Sequence, residues 1–331
     1  MDDLTIQQIK QIDDVKEFID LIAPFYPGIN IKEFKIIEIE QALFHVLIML
    51  LGKILHYSPE GMKQFLRDYL LKFEISNLKQ IILGIITGMN YKQISSRVNF
   101  LVEEYLEHTE FIKNLMEITS LDEIQFYLRT SRYNQAVREG LLYYRNNKEI
   151  FVLESFLDKL YYDNLIAENK IYHKKEKEMI NLFNSSLIEI YNLRIIERGI
   201  KNNIEIKLLT QFLVDNSLFL TKEKTNQLLK IRNLNEFYDN IENFLGDCKE
   251  LKKLFIPVQI NRRHFIWSLG GIYQTYYFKT FKFKNDDIDY ATIYRILELI
   301  IKKDREIKFV IMPNAIRIIH ERYERLDNGN L

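Results

Sequence analysis

Cysteine occurs once, at Cys248, in a chain of 331 residues. That excludes an internal disulfide and a cysteine-built zinc site, and it makes a reducing, cytosolic setting the default expectation. Proline (five) and glycine (eleven) are scarce, so the chain is short of the residues that punctuate turn-rich β architectures. Neither sign of charge predominates: 46 basic residues against 46 acidic ones create no global field to recruit nucleic acid. Met1-Asp2-Asp3-Leu4 is acidic and does not follow the basic-then-apolar order of an export signal. The most apolar run, Ala42 to Leu55, is interrupted by His45, Gly52 and Lys53, and it is too short for the roughly 20 residues a bilayer-spanning helix takes.

Familiar catalytic patterns are missing too. No Gly-x-x-x-x-Gly-Lys-Ser/Thr run exists to cradle phosphates, and Gly84 and Gly88 read instead as close-packing points on one helical face. The six histidines are scattered, with no His-Glu-x-x-His pair to seat a metal. Cys248 has no histidine nearby in sequence, and no serine sits in a nucleophile elbow. Asp286, Asp287 and Asp289 fit a helix start better than a cation site, because acids there oppose the positive end of the helix dipole. The expectation is a protein with no catalytic residues, no cofactor and no metal.

What the chain does contain is Leu, Ile, Lys and Glu in abundance, with 47% hydrophobic and 28% charged residues. That is the composition of an all-α protein with a substantial core. The sequence also repeats itself. Glu189-Ile190-Tyr191-Asn192-Leu193-Arg194 is preceded about 115 residues earlier by Glu74-Ile75-Ser76-Asn77-Leu78-Lys79, and a weaker copy begins at Glu306, with Phe309 in place of Asn. A second marker has a similar period: Asp14-x-x-Glu17, Ser120-x-x-Glu123 and Asn233-x-x-Glu236 each have the form of a helix-capping box. Three helical units are expected, over residues 1–116, 117–228 and 229–331.

Within them, helices are expected over about Asp14–Ile22 and Lys32–Leu55, from Pro59 through Leu71, and from Glu74 to about Ile86, ending near Gly88. Arg145-Asn146-Asn147 reads as a polar turn, and Lys170–Lys177 as a solvated helix face. The second motif helix is expected over Glu189 to about Lys201, and Thr221 is expected to cap a later one. Tyr277–Phe283 fits a short strand or a buried helix equally. The last long helix should start at Asn285–Asp289 and stop at Pro313, with a frayed tail beyond Asn328.

On a helix Glu189 and Asn192 share a face, as do Arg194 and Arg198 on another. A Glu/Asn pair set in an apolar helix can fix which segments pack together, which favours a fastening role. Arg194 and Arg198 are the better candidates for meeting a partner, since guanidinium groups suit charge pairing across interfaces.

These residues resemble a known family, the C subunit of archaeal and bacterial A/V-type rotary ATPases, whose eukaryotic counterpart is the d subunit of the vacuolar ATPase. The matching positions are Glu74, Asn77, Leu78 and Lys79, then Glu189, Asn192, Leu193, Arg194 and Arg198, with Glu306 in the third copy. Leu160-Tyr161-Tyr162 is similar to the family's tyrosine pair, and Thr87-Gly88-Met89 with Ile94 to its glycine-containing helix exit. The family's N-terminal helix is expected to be shortened or missing, and Leu83 stands where an Arg is frequent.

The resemblance implies three homologous helical units arranged as a pseudo-threefold, funnel-shaped socket on the cytoplasmic face of the membrane. It implies two kinds of partner, the central-stalk shaft subunits and the membrane proteolipid ring, with a role in ion transport by coupling the two. A cytosolic helical repeat scaffold that binds another protein is the alternative reading. An enzyme with an unusual helical active site is a third, and it would need a polar pocket with perturbed acids.

Overall fold

The computed structural model describes residues 1–31, 34–168, 174–216, 218–255, 262, 265–281 and 288–328. Among them every regular element is a helix, so the chain is all-α as its composition predicts. The expectations placed on Lys32, Lys170–His173, Phe283, Asn285, Asp286, Asp287 and the tail after Asn328 lie outside the described residues, as do the side chains of Asp289 and Phe309.

In chain order the helices are α1 (Asp3–Ile9), α2 (Val15–Ile22), α3 (Ile36–Tyr57), α4 (Glu60–Ile86), α5 (Tyr91–Ser95) and α6 (Phe100–Leu106). Then come α7 (Thr109–Met116), α8 (Leu121–Tyr127), α9 (Asn134–Asn147), α10 (Ile150–Glu168), α11 (Lys174–Lys201) and α12 (Ile206–Phe212). The last are α13 (Lys222–Lys230), α14 (Leu234–Gly246), α15 (Lys252–Phe255), α16 (Phe265–Thr280), α17 (Ile288–Arg305) and α18 (Met312–Asn328). Single 3-10 turns follow α2 (Ala23–Phe25) and α8 (Leu128–Thr130), and a π-helical stretch, Glu306–Ile311, joins α17 to α18.

The helix starts follow from their caps. Asp14 accepts the amides of Lys16 and Glu17, Ser120 that of Glu123, Asn233 those of Asn235 and Glu236, and Thr221 that of Lys224. Each bond satisfies an amide that the helix itself leaves free.

The chain divides into two compact units. One combines both chain ends, Met1–Arg67 and Arg295–Leu331, with Asn99–Glu107. In it α3 packs on α6 and α18, and α2 on α1 and α18. Ile39, Leu43, Val46, Leu47 and Leu51 of α3 are fully buried, each contributing roughly 1.5–3 kcal/mol of burial. Gly52 sets the distance between α3 and α6: a Cβ there would lie 1.9 Å from the Tyr105 ring.

The second unit comprises Asp68–Val98 and His108–Tyr294. Here α9 lies along α10, while α11 packs on α10, α12, α14 and α16. Val152, Ile196, Leu209, Phe212, Phe237, Ile241 and Leu269 form the centre of its core.

The structure corrects several sequence-based boundaries. The helix ending at Leu71 and the one beginning at Glu74 are a single helix, α4, because Lys72 and Phe73 offer no glycine or proline to break it. Arg145–Asn147 form the last turn of α9, and the reversal falls one residue later, at Lys148 with its positive φ of 60°. The second motif helix begins at Lys174, well before Glu189. The Tyr277 run is helical through Thr280. Pro313 does not stop the chain's helical course, which continues through α18. The wider π-helical turn ends just before Pro313, where the ring would otherwise crowd the carbonyl of the preceding turn. Gly84 is a close-packing point, with Ile94 2.6 Å from where its Cβ would be, whereas Gly88 has open space and serves its positive φ of 70° at the end of α4.

Candidate functional site

The motif carboxylates come first, because a buried acid must find donors. Glu189 is 3% exposed on α11. One of its oxygens accepts the backbone amides of Leu218, Phe219 and Leu220 at 3.1, 3.0 and 3.0 Å, and the other accepts the Tyr273 hydroxyl at 2.5 Å. Burial pushes the Glu189 carboxyl above its usual range, against the pull of those four donors. Burial likewise raises the Tyr273 hydroxyl well above normal, and the neighbouring Glu189 adds to it. With three amides and a hydroxyl aimed at it, the Glu189 carboxylate is surrounded by donors, where a metal would need further lone pairs.

Asn192, one turn on, exchanges a pair of hydrogen bonds with a single residue. Its Oδ1 accepts the Val214 amide at 3.0 Å and its Nδ2 donates to the Val214 carbonyl at 2.9 Å. Between them sits Tyr191, whose hydroxyl donates to the carbonyls of Phe212 and Ser155. Its ring stacks on Tyr162 at 4.2 Å, so the Tyr161/Tyr162 pair serves the packing of α10 on α11. Glu189, Asn192 and Tyr191 together fasten Phe212, Val214 and Leu218–Leu220 to α11, which is how backbone beyond the end of α12 can lie on a buried face.

Glu74 on α4 has the same character. It is 1% exposed, accepts the Tyr133 hydroxyl at 2.6 Å, and its other oxygen lies 3.0 Å from His108 Nδ1 at the start of α7. Asn77, one turn on, is also buried. Lys79 pairs with Asp158 of α10 at 2.5 Å.

Glu306 is the third copy and opens the π-helical stretch. It accepts the Tyr26 hydroxyl at 3.2 Å, the Lys303 ammonium at 2.9 Å and the Met1 ammonium at 2.5 Å. Burial by itself would raise the Glu306 carboxyl, but the ammonium donors outweigh it and hold the group below its usual range. Burial, with the nearby Glu306 charge, pushes the Tyr26 hydroxyl far above normal.

The bases of the second copy behave differently from one another. Arg198 stacks on the Phe151 ring at 4.3 Å and reaches Glu154 at 3.3 Å, with 44% of its side chain still exposed. Arg194 is half-buried on α11. The motif residues are thus brought together with partners of their own chain and do not converge on one pocket.

Sequence reasoning missed those partners. Tyr26, Tyr133 and Tyr273 each give a hydroxyl to a motif glutamate, and the first two follow the 3-10 turn that closes a capped helix. That placement, one residue after the turn for Tyr26 and three after it for Tyr133, was the available signal; Tyr273 lies within α16 and had none.

This fold and these links define an all-α protein of capped helical segments whose acidic motif residues fasten its own backbone. The chain belongs to the ATP synthase (C/AC39) subunit family, whose sequence profile matches residues 1–311. It is similar to the C subunit of the A-type ATP synthase of Methanosphaera stadtmanae, 23% identical over 205 residues, which is 62% of this chain and 52% of the relative. It is similar also to the C subunit of the A-type ATP synthase of Methanocaldococcus jannaschii, 25% identical over 193 residues, covering 58% and 47% of the two chains. A third relative, the corresponding A-type ATP synthase protein of Thermoplasma volcanium, is 28% identical over 164 residues, covering 47% and 46%. The chain spans about half the length of these relatives. Among the described residues no helix is long and apolar enough to cross a membrane.

Proposed function

We propose that the chain is a non-catalytic socket subunit of an A/V-type rotary ATPase, coupling the central-stalk shaft to the membrane proteolipid ring on the cytoplasmic face. The family match across residues 1–311 is the observation that carries this reading. In it the three units, residues 1–116, 117–228 and 229–331, form a pseudo-threefold funnel, and ion transport is served by torque passing through them.

A part that passes torque must not yield, and the motif residues suit that demand. Glu74 and Glu189 each bind a tyrosine and the start of a following segment, so the segments that pack on α4 and α11 are fixed by buried polar bonds as well as by apolar contact. In this assignment Glu74, Asn77, Lys79, Glu189, Asn192 and Glu306 fasten the units, while Arg194 and Arg198 face a partner. Arg198 supports this by keeping much of its side chain accessible while Glu154 and Phe151 hold it in one orientation.

The test is a binding experiment between the purified chain and the purified shaft subunits of its own organism's rotary ATPase, with and without the proteolipid ring. A stoichiometric complex supports the socket. No binding at micromolar concentration in either condition overturns it.

A further inference from the structure

The three tyrosine links are alike in chemistry and unlike in construction. Tyr133 to Glu74 and Tyr273 to Glu189 measure 2.6 and 2.5 Å, and all four residues are at most 3% exposed. They connect residues 59 and 84 apart, and both carboxylates lie in regular α-helix. Tyr26 to Glu306 is longer, at 3.2 Å, and joins residues 280 apart. Its carboxylate retains 15% exposure and is shared among the Tyr26 hydroxyl, the Lys303 ammonium and the Met1 ammonium, so water and counter-charge reach it. It also sits on the π-helical stretch, a rare wide turn that interrupts the regular α-helical ladder.

We propose that the Tyr26–Glu306 link is a releasable latch, the one place of the three where the chain opens. This rests on the three-unit reading, in which it is the link between the last unit and the first. The compact unit made from both chain ends is what the latch closes. Lys303 is its second bolt: its ammonium lies over the Tyr26 ring at 4.4 Å and donates to the Phe25 carbonyl at 3.2 Å. Arg317 adds a third hold, bonding the Ile12 carbonyl at 2.7 Å and Asp13 at 3.1 Å. These holds, with the Met1 ammonium on Glu306 and the Ile9 carbonyl on Arg317, run from the chain's last helices to the N-terminal segment ahead of α3. Losing them leaves α2 held to α1 and α18 by apolar packing alone, while the links at Glu74 and Glu189 involve none of these residues.

Hydrogen exchange of the full chain alone, followed by mass spectrometry, tests the latch without any partner, so its result is independent of whether the shaft binds. Residues 23–31 and 306–312 are expected to exchange together, and before the segments held by Glu74 and Glu189. Tyr26→Phe should speed both latch segments about five- to tenfold, as loss of one hydrogen bond implies, and leave residues 212–220 unchanged. Lys303→Met, which removes the ammonium and keeps the stem, should do the same if Tyr26→Phe folds poorly. Independent exchange of the two segments, or exchange slower than at residues 212–220, overturns the proposal.

Discussion

Tyr273 gives its hydroxyl to Glu189 across 84 residues of chain, at 2.5 Å, in a site where neither residue meets solvent. The bond ties α16 to α11 through polar groups in the middle of an apolar core. Removing the hydroxyl leaves a carboxylate oxygen buried without its donor, so Tyr273→Phe should cost roughly 1–3 kcal/mol. Chemical denaturation followed by circular dichroism would measure it. An unchanged midpoint would show that the bond carries no stability.

Asn192 offers a sharper chemical test. Asn192→Ala orphans both the amide and the carbonyl of Val214, each worth roughly 1–3 kcal/mol when buried unpaired. Asn192→Asp keeps the acceptor for the amide but sets a carboxylate against the carbonyl. Its deficit should be at least that of Ala at neutral pH and should shrink in acid, where a protonated Asp regains a donor. A pH-independent deficit would contradict the pairing.

The pH dependence of Glu306 has a defined sign. Burial pushes its carboxyl up, but the ammonium partners pull it down further, so the folded group titrates below the usual glutamate range. A carboxyl held low in the fold stabilises the protein above its unfolded pKa and loses that contribution as pH falls through the folded value. Glu306→Gln should therefore lower stability by roughly 1–3 kcal/mol near pH 7. The gap to the unaltered chain should narrow as the medium is acidified past the unfolded glutamate range, about pH 4. A gap that widens in acid would mean the sign is wrong.

Gly52 and Gly61 make a matched pair on neighbouring helices. A methyl at Gly52 meets the Tyr105 ring, whereas one at Gly61 meets nothing within 4 Å. Gly52→Ala should destabilise by about 1–3 kcal/mol through overpacking, and Tyr105→Leu should recover part of that in the double variant. Gly61→Ala should be neutral or stabilising by about 0.5 kcal/mol. Equal thermal shifts for the two substitutions would refute the close approach of α3 and α6.

How much of this was legible in the sequence differs from residue to residue, for physical reasons. Asp14, Ser120, Thr221 and Asn233 were readable as caps because capping is local: the donor lies two or three residues from the acceptor. Glu74 and Glu189 were readable as motif positions because they recur, and their pairing with buried groups follows from an acid in an apolar helix. Tyr133, Tyr273 and His108 were not readable, since their partners are distant in sequence and one tyrosine among 20 carries no mark of its own. Pro313 misled because the rule that proline ends a helix assumes α-helical spacing, and the preceding turn here is wider. The break expected near Leu71 failed because two motifs in succession were read as two elements where the backbone is continuous.

The stretch Glu306–Ile311 has one more consequence, for length changes in the gene. A π-helical turn holds one residue more than an α-helical turn needs, so the segment behaves as an insertion absorbed in place. Deleting a single codon there would restore α-helical pitch and leave α18 in nearly its present phase, because the wide turn spreads one more residue over about the same rotation. A deletion just beyond it, within α18 before Arg317, has no such slack: it would swing Arg317 by about 100° about the helix axis, away from the Ile9 and Ile12 carbonyls it now bonds. Tolerance to a one-residue change thus belongs to this stretch and not to the helix it leads into.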